Sequence, residues 1–413
     1  MFIIILAIKL GVKMSEIKTR NDTAVIYFNG LGKKYEKPTA GDFLLNGHPV
    51  KGDDNEILPE DRVVSLIKQE TANFISHHFT QIVLLAGAGS SISGLLGKQK
   101  VGSSMRDLTT EVEKTLKEKK LLTLEQLADL SKYEIDDCKA SDFNLEDLMS
   151  CIERAEKYIS EKDKTAFDKT YEDIHKTIRV ATSYEYDPNI LHHDRIIKML
   201  SDRVVAPNKL TIATTNYDTL FEDAAKAQDF SVVDGFSYDA NPVFDADNFE
   251  WNLVRDIPNL ATSELEYKKQ VINLIKLHGS LTWERDTDGL VHRRLKTQVS
   301  QPIMIFPSSD KYLQSYTEPY FDLFSKFQEL LNRPDTLLIT NGFSFGDNHI
   351  SQMVHHAIMH NGGLSVMITD NNITSQSSSG WLDIYNLMEA RYPVIFVKST
   401  LNSLSDYLGE VPQ

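Results

Sequence analysis

Cysteine is scarce in this chain: Cys138 and Cys151 are the two thiols among 413 residues. Two cysteines cannot build a four-cysteine zinc ribbon or a multi-bridge disulfide framework. Both are expected as reduced thiols on helices in a reducing cytosol. Basic charge is also short. There are 44 Lys and Arg against 59 Asp and Glu, a formal net charge of -15. A surface that tracks phosphates needs a basic face, so direct nucleic-acid binding is disfavoured. Long hydrophobic runs are missing too. The opening MFIIILAIKLGVKM is too short to span a bilayer, has no charge ahead of its apolar block and shows no A-x-A-like cleavage site. It reads as a leading peptide upstream of a second start at Met14, so no membrane targeting is expected. No internal repeat stands out, and SSSG at 377–380 is only a short loop.

What is present fits a soluble α/β protein. The apolar fraction of 41% and charged fraction of 25% are ordinary for a globular chain. The length allows two or three domains, or one large α/β domain with insertions. Residues 14–60 read as irregular, because GKKYEKPTAGDF and NGHPVKGDDNEILPED are rich in Gly, Pro, Asp and Asn. Asp53, Asp54 and Glu56 lack the spaced ligand ladder of a calcium loop and read as a solvated turn. A helix is predicted through DRVVSLIKQETANFISHHF.

Seven apolar runs follow: QIVLLAG, KLTIATTNYD, NLIKLHGS, PIMIFPSS, TLLITNGFSF, LSVMITDNN and YPVIFVKS. They are short, β-branched and not cleanly alternating, as strands buried on both faces of a parallel sheet are. A long helical stretch at about 105–205 separates the first run from the second. In NLEDLMSCIERAEKYI, Leu145, Leu148, Met149, Ile152 and Ile159 share one face, with Asn144 as cap and Asp147 at the third helical position. This stretch exceeds an ordinary crossover and reads as an inserted helical module. The expected layout is an extension over 1–75 and one domain over 76–413 that carries the insertion.

Polar residues gather at the ends of these runs. Gly87-Ala88-Gly89-Ser90-Ser91 ends the first with glycines and hydroxyls, a pattern that offers backbone amides to an anion. It is not a full G-x-G-x-x-G fingerprint, because Ile92 holds the third position with Gly94 nearby, and Lys98 lies outside a Walker frame. Alone it is equally a tight strand–helix turn. Thr214-Thr215-Asn216-Tyr217-Asp218 ends the second run. Asn216 offers a donor and an acceptor, although Asn and Asp also serve as strand-end turns and caps. His278 in KLHGS stands before a glycine and is a candidate general base. Asn341-Gly342-Phe343-Ser344-Phe345-Gly346-Asp347 repeats the strand–glycine–hydroxyl logic. Asp370 follows another strand, where a carboxylate can accept from a ribose. In parallel sheets such ends line one edge, where ligands bind. His356 and His360 share a helix face with His355 adjacent, but Ala357 stands where a zinc-protease glutamate would be, so a surface face is expected.

The order GAGSS, TTNYD, KLHGS, GFSFGD resembles the sirtuin family, and within it the bacterial sirtuin-like branch of antiphage defence. The resemblance covers roughly residues 80–400. It implies an α/β fold with a Rossmann-like, mostly parallel sheet, here with the large helical insertion and the N-terminal extension. It implies NAD as substrate, with Gly87, Ala88, Gly89, Ser90, Ser91, Gly342 and Ser344 at the phosphates and Asp370 at the adenosine ribose. Asn216 is then expected to position the nicotinamide ribose or the attacking water, His278 to act as base, and Asp218 to support Asn216. The layout is similar to a sirtuin-like subunit that pairs with a HerA-type ATPase, which implies a cytoplasmic homo-oligomer. Two departures count against protein deacetylation: the zinc ribbon cannot be built, and a Pro-Asp-Phe-Arg segment has only GSSMRDL, with Arg106, as counterpart. The expected activity is hydrolysis of NAD to nicotinamide and ADP-ribose without a metal. The rivals are an NAD-dependent deacylase and a non-catalytic NAD or ADP-ribose sensor controlling a partner ATPase.

Overall fold

The computed structural model describes residues 23–92, 101–133, 143, 145–257, 265–304, 318–374 and 378–409. The leading peptide, Met14, Gly94, Lys98, Cys138 and the Asn144 cap lie outside the described residues. Strands β1 (Thr23–Asn29), β2 (Lys34–Pro38), β3 (Leu44–Leu45) and β4 (His48–Pro49) precede helix α1 (Glu60–Phe74) and β5 (Gln81–Ala86). Among the described residues five α-helices then intervene: α2 (Met105–Lys119), α3 (Leu124–Ser131), α4 (Leu145–Ala155), α5 (Glu161–Ala181) and α6 (His193–Ser201). Next come β6 (Leu210–Thr214), α7 (Leu220–Ala227), β7 (Ser231–Val233), the hairpin β8 (Val254–Asp256) and β9 (Leu265–Tyr267), and β10 (Val271–Lys276). Short strands β11 (Gly279–Ser280), β12 (Trp283–Arg285), β13 (Val291–Arg293) and β14 (Ile303–Met304) follow. The chain then alternates α8 (Tyr320–Asn332), β15 (Thr336–Asn341), α9 (Asn348–His360), β16 (Leu364–Asp370), α10 (Ser379–Glu389), β17 (Val394–Lys398) and α11 (Leu401–Leu408).

An 11-stranded sheet runs in the order β4-β3-β2-β1-β17-β16-β15-β5-β6-β10-β7. From β17 to β7 every pairing is parallel. Both faces are covered, which explains the unbroken apolar runs. Along β5, Ile82, Leu84 and Ala86 pack with Val63 and Ile67 of α1, Ile197 of α6 and Leu404 of α11. Val83 and Leu85 point the other way, toward Phe327 of α8, Val354 of α9 and Ile384 of α10. The sheet is therefore the middle layer of an α/β fold of the Rossmann-like class.

The helical stretch between β5 and β6 has its own core. Val112 and Leu116 of α2, Leu127 of α3, Leu148 and Ile152 of α4, and Phe167 and Ile174 of α5 pack together. Leu145, Leu148, Met149 and Ile152 are buried together as their spacing predicts, while Ile159 lies past the end of α4 and is partly buried. Capping boxes start α2 (Ser104 with Asp107) and α3 (Thr123 with Gln126). Tyr217, Leu281 and Met304 join this core and anchor the module to the strand ends.

Two expectations change. Residues 14–60 are not irregular throughout: β1–β4 form an antiparallel meander joined to the parallel sheet through Tyr27 opposite Val397. The overlooked signal is Asn46-Gly47, whose φ angles of 53 and 81 make the two-residue turn between β3 and β4. Turn residues dominate the composition there because the strands they join are so short. The described part of PIMIFPSS does not pair with the main sheet either. Ile303–Met304 pairs antiparallel with Gly279–Ser280, and residues 305–309 of that run are outside the described residues.

His193, at the start of α6, is fully buried and packs edge-on against Phe221 with ring centroids 4.8 Å apart. Neither ring nitrogen has a hydrogen-bond partner among the described residues. Burial pushes the imidazole down to about 3. The folded pKa lies below the unfolded one, so the neutral ring's contribution is complete above about pH 6.5 and declines as pH falls toward 3. His193→Phe is expected to flatten the loss of stability between pH 6.5 and 4, by a few kcal/mol at the acid end. Urea unfolding of parent and variant across that range checks this, and parallel pH dependences would refute it.

Candidate functional site

The strand order reverses between β5 and β15, so their connections leave in opposite directions and open a crevice at the carboxyl edge. Two glycine turns meet there. A Cβ on Gly87 would lie 2.5 Å from the Gly342 carbonyl oxygen, and one on Gly89 would lie 2.7 Å from Gly342 Cα. At Gly342 the φ of 59 is left-handed, and a Cβ would meet Gly89 C at 2.4 Å. These glycines are required because one main chain lies directly on another.

The contact also uses backbone amides. Gly87 N–H donates to Asn341 O at 3.0 Å, Gly89 N–H to Gly342 O at 3.0 Å, and Ser90 N–H to Gly87 O at 2.9 Å. The expectation of a turn with its amides free for an anion is changed accordingly: these three serve the fold. Ser90 is buried and its hydroxyl donates to Gly87 O at 2.7 Å, whereas Ala88 and Ser91 line the crevice.

Asn216 clamps this turn from the end of β6. Its Nδ2 donates to Gly87 O at 2.9 Å and contacts Ser91 Oγ at 2.8 Å and Ser90 Oγ at 3.2 Å. Ser91 passes its own hydrogen to Asp218 Oδ2 at 2.7 Å. Asp218 thus reaches Asn216 through Ser91. Asp218 also accepts from Leu220 N–H, at the start of α7, at 3.1 Å. Behind it, the buried Lys276 ammonium donates to the Asp218 carbonyl oxygen and pairs with Glu222 at 3.0 Å. Burial pushes both carboxyls up, and the Lys276 charge is the largest opposing effect in each.

His278 follows β10 and is buried at 4% exposure. Its Nε2 lies 2.9 Å from Asp347 Oδ2. Asp347 begins α9, accepting from His349 and Ile350 amides through Oδ1. Asp370, at the end of β16, is half-buried; burial pushes its carboxyl up, and it accepts from Asn372 N–H at 2.9 Å. Ser344 sits exposed at the rim.

One cleft of about 570 Å³ gathers these groups. That volume is ordinary for a small-molecule or cofactor site. Gly87, Ala88, Gly89, Ser91, Asn216, Asp218, His278, Gly342, Ser344 and Asp370 all line it, while Ser90 supports it from within. Arg106 is exposed on α2 and does not line it. Sequence reading missed a whole wall: Ser103, Ser104 and Met105 at the start of α2, Asp147 of α4, and Tyr184 after α5. Tyr184 accepts from Ser103 N–H at 2.9 Å, which ties the module to the rim. The Ser104–Asp107 capping box was legible as a helix start, but nothing local marked Tyr184. Among the described residues no lysine or arginine lines the cleft. His356 and His360 stack on an exposed face of α9, as expected, with centroids 3.9 Å apart. Among the described residues no group of three or more His, Cys, Asp or Glu is placed to hold a metal ion, and no helix is long and apolar enough to cross a membrane.

These features define an α/β protein with a polar cleft at the switch point of a parallel sheet. Residues 210–387 match the family model of the SIR2-like domain, which supports a sirtuin-like family and points to NAD-related activity. The matched segment holds Asn216, His278, Gly342, Ser344 and Asp370, and begins after the glycine turn at 87–91. No curated protein matches the chain.

Gly342→Ala is expected to cost on the order of 3 kcal/mol, from the left-handed backbone and the main-chain overlap. Gly362→Ala is the control, since a Cβ there meets nothing within 4 Å. Thermal unfolding should show Gly342→Ala melting several degrees below parent and control; equal melting temperatures would contradict the assigned contact.

Proposed function

We propose that the cleft hydrolyses NAD to nicotinamide and ADP-ribose. The observation that carries this reading is that Asn216 and His278, from two different strand ends, line the same cleft as the glycine turns. The SIR2-like match, which spans both residues, supports it.

In the reaction the bond between the ribose carbon and the pyridinium nitrogen breaks, and its electrons neutralise the departing nicotinamide. Positive charge builds on the ribose carbon, and an oxygen of water bonds to it. His278 takes the proton that the water or a ribose hydroxyl loses. Asn216 positions the nicotinamide ribose or the water. The buried carboxylate Asp218 holds the clamp in register. The phosphates lie against Ala88, Ser91 and Ser344, on the floor that Gly87, Gly89, Ser90 and Gly342 build. Asp370 accepts from the adenosine ribose. The leaving group departs neutral, so this route needs no Lewis acid. The family resemblance extends the proposal to NAD depletion in antiphage defence, by a cytoplasmic homo-oligomer partnered with a HerA-type ATPase.

Purified protein incubated with NAD, without peptide, is expected to release nicotinamide, alone or once mixed with the partner ATPase. Asn216→Ala and His278→Ala should each lower the rate by about 100-fold or more. Nicotinamide release that requires an acyl-lysine peptide would favour the deacylase. NAD binding without turnover in either condition would favour the sensor.

A further inference from the structure

Lys276 is the last residue of β10 and is buried at 1% exposure. Ile272 and Leu274 of the same strand pack in one apolar layer with Phe221 and Ala224 of α7. Alternation along the strand places Lys276 on that face. An ammonium buried in such a layer costs stability unless it is paired and hydrogen-bonded. Lys276 is held in both ways: Nζ pairs with Glu222 at 3.0 Å and donates to the Asp218 carbonyl oxygen. A methionine of similar shape would fill the same space without the cost of a buried charge. What Lys276 adds is a bond to the loop that carries Asn216.

That loop and the segment after β10 are tied together around the two side chains assigned to the chemistry. Lys276 lies beside Thr214 at the end of the parallel ladder. Beyond that pair, Leu277 N–H donates to Thr214 O at 2.8 Å and Leu281 N–H donates to Tyr217 O at 3.1 Å. The Lys276 side chain adds its bond to Asp218 O. The accepting carbonyls of Thr214, Tyr217 and Asp218 bracket Asn216, and the donors Leu277, Leu281 and Lys276 bracket His278. Asn216 in turn donates through Nδ2 to Gly87 O at 2.9 Å. We propose that Lys276 is a positioning residue, which through the Asp218 carbonyl fixes where Asn216 stands against His278 and the glycine turn. Lys276 is not among the residues that line the cleft, so it acts through Asn216 and does not touch substrate. The consequence for turnover rests on the hydrolytic reading, while the position of Asn216 belongs to the protein without substrate. The bond is to a main-chain carbonyl, so a neutral amine would serve as donor as well as an ammonium.

Glu222 separates this role from stability. In Glu222→Met the amine still donates to Asp218 O, whereas in Lys276→Met the donor is gone. Each single variant leaves one member of the buried pair unmatched and should melt several degrees below the parent. The double variant removes both charges and should regain most of that loss. Activity should follow the donor instead. Glu222→Met should keep its kcat for nicotinamide release within about threefold of the parent, while Lys276→Met and the double variant should both lose roughly 10- to 100-fold, with KM for NAD within about threefold. Asparagine labelled with 15N gives a second readout, in which the Asn216 side-chain NH2 signals are assigned by their loss in Asn216→Ala. Those signals should shift in both variants that lack Lys276 and stay in place in Glu222→Met. A kcat that follows melting temperature across the three variants makes Lys276 structural only and overturns the proposal, as do Asn216 signals that stay in place when Lys276 is replaced. If the parent releases no nicotinamide with or without the partner ATPase, the hydrolytic reading falls, and the Asn216 signals alone decide the positioning role.

Discussion

The floor of the cleft is a contact between two stretches of main chain. Gly87–Gly89 after β5 and Gly342 after β15 approach so closely that no side chain fits between them. The contact forms where neighbouring parallel strands send their connections in opposite directions. Hydrogen bonds from Gly87 to Asn341 and from Gly89 to Gly342 lock it, and Asn216 closes it from the third strand. Every other wall of the site is referenced to this floor. Ser91 reaches Asp218 because the turn is held, and Asp347 meets His278 because the loop beginning at Gly342 runs straight into α9.

The electrostatics follow from the same arrangement. The cleft presents carboxylates and hydroxyls, and its described walls hold no lysine or arginine. The nearest buried cation, Lys276, is turned away toward Glu222 and the Asp218 carbonyl oxygen. An anionic ligand would meet chiefly hydroxyls, remaining amides and the helix starts at Ser104 and Asp347. Such groups fix geometry more than they supply charge. That suits a site which has to orient a sugar against a base and a water.

The helical module between β5 and β6 is more than a spacer. Its helices α2–α5 have a separate core, yet the residues just before α2 and just after α5 return to the cleft with Ser103, Ser104 and Tyr184. A wall built by a body with its own core can move relative to the sheet without unfolding it. Among the described residues, the interactions that join them include Tyr217, Leu281 and Met304 at the strand ends, the Arg179 side chain donating to Ser300 O and Lys296 O, and Lys296 Nζ donating to Tyr184 O.

By itself the sequence determined six strands of the parallel sheet, β5, β6, β10, β15, β16 and β17, and which of their ends are polar. Apolar runs buried on both faces leave a direct trace in composition, and glycines, Asn216, His278 and Asp370 fell at their ends in plain view. It also marked the helical module and its buried stripe, because helical spacing is local. The meander β1–β4 was nearly legible in Asn46-Gly47, but strands of two residues are too short to carry a pattern. Only the tertiary structure decided how the site is wired. It turned the glycine amides inward, interposed Ser91 between Asn216 and Asp218, brought Tyr184 to the rim, and joined Asp347 to His278. Hydrogen bonds between residues tens or hundreds of positions apart depend on where whole elements come to rest, and no local spacing encodes that.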